Sequence, residues 1–158
     1  MAPTLGTKDL ERGALVGASG LTAYAVELSS TVPSRPASIA LVRNAVRGFA
    51  DSWRLEGWAP DRFDEERSAD LALVFTELLT NAVLHSGCGP DESLEVRVAL
   101  GAREIYGSVT DPGKGFNSQS GALTPRVDGG LGLFIVGRLV RVWGVRTVPA
   151  GNQVWFEF

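Results

Sequence analysis

Leu71, Val74, Phe75, Leu78, Ala82 and Val83 recur at three- and four-residue spacing, and that pattern fixes one element of the chain before any other. At about 3.6 residues per turn they line one side of an α-helix, and that side must be buried against something. The spacing predicts a helix from about Arg67 to Ser86, ended by Gly87 and Gly89-Pro90. On another side Glu77, Asn81 and His85 recur every fourth residue, so a carboxylate, an amide and an imidazole share a face. Such a face is either ordinary solvated surface or the wall of a site, and the helix alone does not decide between them.

What the helix packs on is legible on either side of it. Leu94 to Leu100 alternates strictly, turns at Gly101-Ala-Arg and resumes from Glu104 to Thr110, a hairpin signal. Tyr24 to Ser30 alternates as well and reads as a half-buried strand. Pro33-Ser-Arg-Pro36 breaks it and starts a helix to about Leu55, with Ser34 or Ser38 as cap and Val42, Ala45, Val46, Phe49 and Trp53 on its apolar side. Asp61, Asp64, Glu65 and Glu66 give the central helix an acidic entry, where negative charge suits the helix dipole. A third helix follows Gly129 to Leu133 and runs from Phe134 to Arg141. Two last strands, Val142–Val148 and Gln153–Phe158, flank a Pro149-to-Asn152 turn. The expected architecture is a two-layer α/β (α+β) sandwich, a mixed and mostly antiparallel sheet with helices on one face. Residues 1–20 read as a flexible arm and residues 21–158 as a single domain.

Composition excludes several classes. A net charge of −3 offers no basic stripe for phosphate backbones, so no direct nucleic-acid contact is expected. Cys88 is the single cysteine and His85 the single histidine, which rules out an internal disulfide and a structural zinc site and suits a reducing cytoplasm. The small-residue stretch from Gly13 to Ala25 has the outline of a leader, but Asp9 and Glu11 stand where positive charge belongs. No apolar run reaches the length of about 18 residues that a membrane span needs.

Two glycine motifs remain. Asp111-Pro-Gly-Lys-Gly115 follows a strand directly. It is a plain turn, or a carboxylate placed to accept from an amino group, with glycines that let a flat ring approach the backbone. Gly129-Gly-Leu-Gly132 opens a helix, and is either a tight junction or a nest of N–H groups that favours phosphate. Residues 116–128 between them are polar and aperiodic, a loop of lid length.

Taken in chain order, Glu-x-x-x-Asn-Ala-x-x-His on a helix, Asp-x-Gly-x-Gly after a strand, a lid and Gly-Gly-Leu-Gly-Leu before a helix resemble the N, G1 and G2 boxes of the GHKL ATPase superfamily. The resemblance covers roughly residues 24–158 and is strongest to the small anti-sigma-factor serine kinases, whose fold is the Bergerat ATP-binding sandwich. It implies ATP and Mg²⁺ as cofactors. Asn81 would ligate the metal, Glu77 would act as general base and His85 would support the site. Asp111 would receive the adenine amino group, with Gly113 and Gly115 as the floor and Gly129, Gly130, Leu131, Gly132 and Leu133 around the phosphates. Where related last strands often carry a Thr beside the adenine-side Asp, this chain offers Gln153, or Val154 in a shifted register.

The implied activity is an anti-sigma factor that phosphorylates a serine of an anti-anti-sigma antagonist and sequesters a sigma factor; a homodimer is a further expectation by resemblance. The single histidine leaves no separate phosphoacceptor for a self-contained histidine kinase. The alternative is a nucleotide-binding regulatory module that acts by protein binding with little catalysis.

Overall fold

A computed structural model of the chain describes residues 14–17, 20–57, 63–101, 104–113 and 131–158. The elements run β1 (Ala14–Gly17), β2 (Gly20–Pro33), α1 (Pro36–Leu55), α2 (Glu65–His85), β3 (Ser93–Gly101), β4 (Ile105–Asp111), α3 (Leu131–Leu139), β5 (Val142–Val148) and β6 (Gly151–Glu157). The sheet is six-stranded, in the order β1-β2-β3-β4-β6-β5. Every described ladder is antiparallel, so the mixture of strand directions expected from the sequence narrows to one kind of pairing.

Alternation along the strands decides which face the helices cover. Leu94, Val96, Val98 and Leu100 of β3, Ile105 and Val109 of β4, and Val154 and Phe156 of β6 point one way. They form a single core with Val42, Val46 and Trp53 of α1, with Leu71, Phe75 and Leu78 of α2 and with Val136 of α3. This is the two-layer sandwich. The opposite face carries Glu27, Arg97, Tyr106, Ser108, Thr110, Gln153 and Glu157. There Arg97 holds Glu27 through Nε at 2.8 Å and Nη2 at 2.6 Å, and Arg141 pairs with the fully buried Glu157.

The packing of α2 on the sheet turns on a missing side chain. Gly107 stands opposite Phe156 across β4 and β6, and a Cβ on Gly107 would overlap that ring. The far end of the ring covers the glycine, and the ring meets that of Phe75 of α2 in a T-shaped contact with centroids 5.3 Å apart. At its far end Asp64 caps α2 by accepting from the Arg67 amide at 2.9 Å. Arg67 in turn donates to the carbonyl of Leu139 at the end of α3 and lies 4.0 Å over the Phe158 ring.

Several boundaries differ from the sequence reading. Helix α1 begins at Pro36 behind Arg35, which makes no side-chain capping bond; Ser34 is buried before the helix and Ser38 inside it. Proline at the first position supplies a preset φ, and the helix forms without a serine cap. Helix α3 stops at Leu139, two residues before Arg141, and β6 starts at Gly151 instead of Gln153. Residues 14–17, read as part of a flexible arm, pair with β2. Residues 1–13, the side chains of Tyr24 and Val26, Asp61 and the lid stretch 116–128 lie outside the described residues. Among the described residues no helix is long and apolar enough to cross a membrane.

Gly107→Ala is expected to lower stability by about 1–3 kcal/mol in urea denaturation, the range for forcing one extra methyl into a packed core. Adding Phe156→Leu should recover part of that loss, because the two positions share one space. Strict additivity of the two changes would contradict the packing described.

Candidate functional site

Helix α2 forms a wall with two occupied ends. Asn81 is buried among the apolar residues of its helix, whereas Glu77, one turn earlier, is half-exposed. Thr76 and Thr80 turn their hydroxyls back onto the carbonyls of Ala72 and Thr76, at 2.8 and 2.7 Å, and so do not compete for either group. The first turn of α3 closes over this end. A Cβ on Gly132 would stand 2.7 Å from Oε2 of Glu77 and 3.5 and 3.7 Å from the two polar atoms of the Asn81 amide. A side chain at position 132 would make the Glu77 carboxylate move aside. The N–H end of α3 therefore faces the Glu77 carboxylate, an arrangement that its partial positive charge favours.

The Asn81 amide nitrogen is buried and has no hydrogen-bond partner among the described residues. A buried amide with nothing to bond costs about 1–3 kcal/mol, so such a group beside a carboxylate and a helix start points to a partner that the described residues do not supply. The two ends of a carboxamide have nearly the same shape, so a half-turn presents its oxygen in place of its nitrogen.

The other end lies where β4 runs out beyond the last turn of α2. Asp111 is 4% exposed, and its Oδ1 accepts from the amide of Gly113 at 3.0 Å. A side chain on Gly113 would run into the carbonyl of Ser86 at the C-cap of α2, so this glycine seats the loop against the helix end. Gly151 takes φ +132°, and a Cβ there would strike the carbonyl of Asp111. Burial raises the Asp111 carboxyl above the ordinary value, and the Gly113 amide and the side chain of Asn152 draw it partly back. Ser86 lies nine positions beyond Glu77, about 13 Å along the helix axis, so the two ends suit an elongated ligand better than a single ion.

The structure brings Glu77, Asn81 and Gly132 together at one end and Asp111 and Gly113 at the other. Leu133 packs against the core, which leaves only its backbone to the site, and the Leu131 side chain is exposed. His85 is exposed in the last turn of α2, and no hydrogen bond or ion pair ties it to Asn81 among the described residues. Gly115, Gly129 and Gly130 lie outside the described residues.

One expectation is corrected. Gln153 pairs with Thr110 and faces away from Asp111. On that side its Nε2 donates to Thr110 Oγ1 at 3.0 Å and its Oε1 accepts from Arg146 Nε at 2.7 Å. Val154 points into the core. The residue opposite Asp111 is Asn152, whose Nδ2 donates to the Gly113 carbonyl at 2.8 Å. Sequence reasoning assigned Asn152 to a turn; extending β6 back to Gly151 puts it on the Asp111 side, because sides alternate at each residue.

The chain matches the family of the histidine kinase-like ATPase domain over residues 32–158. No curated protein matches it. Among solved structures it is similar to the crystal structure of the RsbU and RsbW domains of Rv1364c from Mycobacterium tuberculosis. The TM-score is 0.59 at 20% identity, over 87% of this chain and 33% of that one. It is also similar to the histidine kinase domain of the Erythrobacter litoralis EL346 blue-light activated histidine kinase, with a TM-score of 0.51 at 18% identity, over 90% of this chain and 65% of that one. The chain thus spans a third of the first and just under two thirds of the second, and at these identities the likeness is one of fold.

A raised carboxyl in the folded state holds its proton more tightly than the unfolded chain does. Wild type should therefore lose stability relative to Asp111→Asn as pH rises through the interval that begins near the ordinary value of 3.8 and ends at the folded value. Urea denaturation at a series of pH values measures the difference; a constant difference, or one of opposite slope, would contradict the burial of this group.

Proposed function

The chain belongs to the family of histidine kinase-like ATPase domains, and we propose that it binds ATP with Mg²⁺ along α2 and transfers the γ-phosphoryl group to a serine or threonine of a partner protein. The observation that carries this reading is the buried, unpartnered Asn81 amide set between Glu77 and the glycine-lined start of α3. Asp111 would accept the exocyclic amino group of adenine, with Gly113 giving the ring access to the backbone. The start of α3 would meet the phosphates with its free N–H groups.

Among the described residues no cluster of three or more His, Cys, Asp or Glu side chains could hold a metal. The residues present fit an ion that takes few protein ligands and completes its shell with phosphates and water, as Mg²⁺ does; Asn81 would hold it through its amide oxygen. Bound there, the ion would neutralise charge on the β- and γ-phosphates. Glu77 would take the proton from the attacking hydroxyl as its oxygen bonds to the γ-phosphorus and the bond to the β-phosphate oxygen breaks, leaving ADP. The half-exposed position of Glu77 leaves its carboxylate open to a hydroxyl delivered from outside the chain.

The partner supplies the acceptor. This sequence has one histidine, and it stands on α2, so a phosphohistidine relay within the described domain has no separate acceptor. The motif order resembles the small anti-sigma-factor kinases, and the RsbW domain named in the mycobacterial structure points the same way. The partners proposed are therefore a sigma factor and a phosphorylatable anti-anti-sigma antagonist, with a homodimer as the working assembly and the cytoplasm as the compartment.

Glu77→Gln keeps the shape of the side chain and removes the base. It should bind Mg-ATP with unchanged affinity in calorimetry while losing transfer to the partner by about 10²–10⁴-fold in a radiolabel assay. Equal transfer by wild type and variant would overturn the role of Glu77 as base, and no transfer by wild type would favour a nucleotide-binding module that acts without catalysis.

A further inference from the structure

Beside the proposed base the surface turns apolar. Leu131, Phe134 and Leu73 are 60, 45 and 40% exposed, although all three are large apolar side chains. Leu73 stands one turn before Glu77 on α2, on the same side of the helix. Leu131 adjoins Gly132, the residue whose missing side chain leaves room for Glu77 Oε2. Helices α2 and α3 run antiparallel, since Gly132 meets Glu77 while Leu139 at the other end of α3 accepts from Arg67.

The outer side of α3 carries Leu131, Phe134 and Arg138 at spacings of three and four residues, away from the buried Gly132 and Val136. Arg138 is exposed and lies about 9 Å along the helix axis from Gly132. Asp70, on the stretch of α2 that faces this end of α3, is paired with Arg67 at 3.8 Å. Arg138 makes no ion pair among the described residues. An apolar row thus starts at the Glu77 carboxylate and ends at a free guanidinium.

We propose that this row docks the acceptor segment of the partner protein: apolar residues flanking its serine or threonine rest on Leu73, Leu131 and Phe134, and an acidic residue farther along meets Arg138. The inference rests on the phosphoryl-transfer reading above and adds the chemistry by which the protein substrate is recognised. A hydroxyl delivered to Glu77 brings its own chain neighbours onto the residues that border Glu77. The unpaired guanidinium fits a carboxylate among them. Single apolar side chains are ordinary on a surface, whereas a row beside a base becomes dry once the acceptor chain lies on it. That cover would also keep water from Glu77, so that the phosphoryl group passes to the hydroxyl.

The test uses the intact chain with Mg²⁺, radiolabelled ATP and synthetic peptides that contain one central serine. The first peptide has leucines on both sides of the serine and a glutamate about three residues on, the extended-chain equivalent of the distance to Arg138. The second replaces the leucines by asparagine, and the third replaces the glutamate by lysine. Wild type should show its highest kcat/KM with the first, about tenfold lower with the second and about threefold lower with the third. Leu73→Asn with Phe134→Asn should lose the preference for leucine through KM, with kcat kept. Arg138→Glu should reverse the order of the first and third peptides. Circular dichroism checks the fold of these surface variants, and calorimetry should find their ADP affinity unchanged.

Equal kcat/KM for all three peptides, or an Arg138→Glu variant that ranks them as wild type does, would overturn the docking surface and leave phosphoryl transfer standing. No transfer to any peptide by a wild type that binds ADP would overturn both and leave a nucleotide-binding module. Sedimentation velocity addresses the rival occupant. A wild-type dimer that becomes a monomer in the Leu73→Asn, Phe134→Asn variant would assign the row to a second copy of the chain and overturn the proposal.

Discussion

Everything at the site depends on how α2 is seated on the sheet, and that seat is the edge-on meeting of Phe75 with Phe156 above Gly107. The helix supplies groups to both ends of the site: Glu77 and Asn81 to the end covered by α3, and the Ser86 carbonyl at its C-cap to the loop after β4. Moving the helix outward would open both ends together. A bulky ring over a glycine is an economical way to set that height, since the sheet is pleated and a side chain at Gly107 would lift the ring and the helix above it.

Glycine performs a second kind of work at each end. Gly132 lets α3 come down onto Glu77 and Asn81, and Gly113 lets the loop after β4 rest on the end of α2. In both places what fills the missing side-chain volume is a polar atom of α2: a carboxylate oxygen in one case, a backbone carbonyl in the other. The polar groups at the two ends are thus carried by a helix and a strand end. Such preorganisation is what phosphoryl transfer asks of a protein, because positioning and charge neutralisation supply most of the rate.

The helix, the hairpin of β3 and β4 and the two-layer arrangement were all legible in the sequence, because their apolar residues repeat with the period of the element that buries them. Leu71, Phe75 and Leu78 sit at 2% exposure or less, on the stripe their spacing defines. Boundaries were less legible. The start of β6 depends on Gly151, whose φ of +132° belongs to no periodic pattern, and the shift carries Asn152 from a turn onto the Asp111 side while it places Gln153 on the far face. The serine caps expected for α1 lost to a proline start, since a preset φ serves the same end. Asp111 and Gly113 could be named from sequence, but their dependence on Ser86 and Asn152 could not, because those contacts join residues distant in the chain.

The central claim is that the two ends of α2 belong to one nucleotide site, with a base at Asp111 and metal-bound phosphates at Asn81. Titration calorimetry of the intact chain with ATP, with and without Mg²⁺, tests it most directly when run beside Asp111→Ala and Asn81→Ala. The account predicts saturable binding to wild type that weakens when Mg²⁺ is chelated. It also predicts weaker binding by Asp111→Ala in either condition, and little response to the metal in Asn81→Ala. Absence of binding by wild type in both conditions, or a response to Mg²⁺ in Asn81→Ala equal to that of wild type, would contradict it.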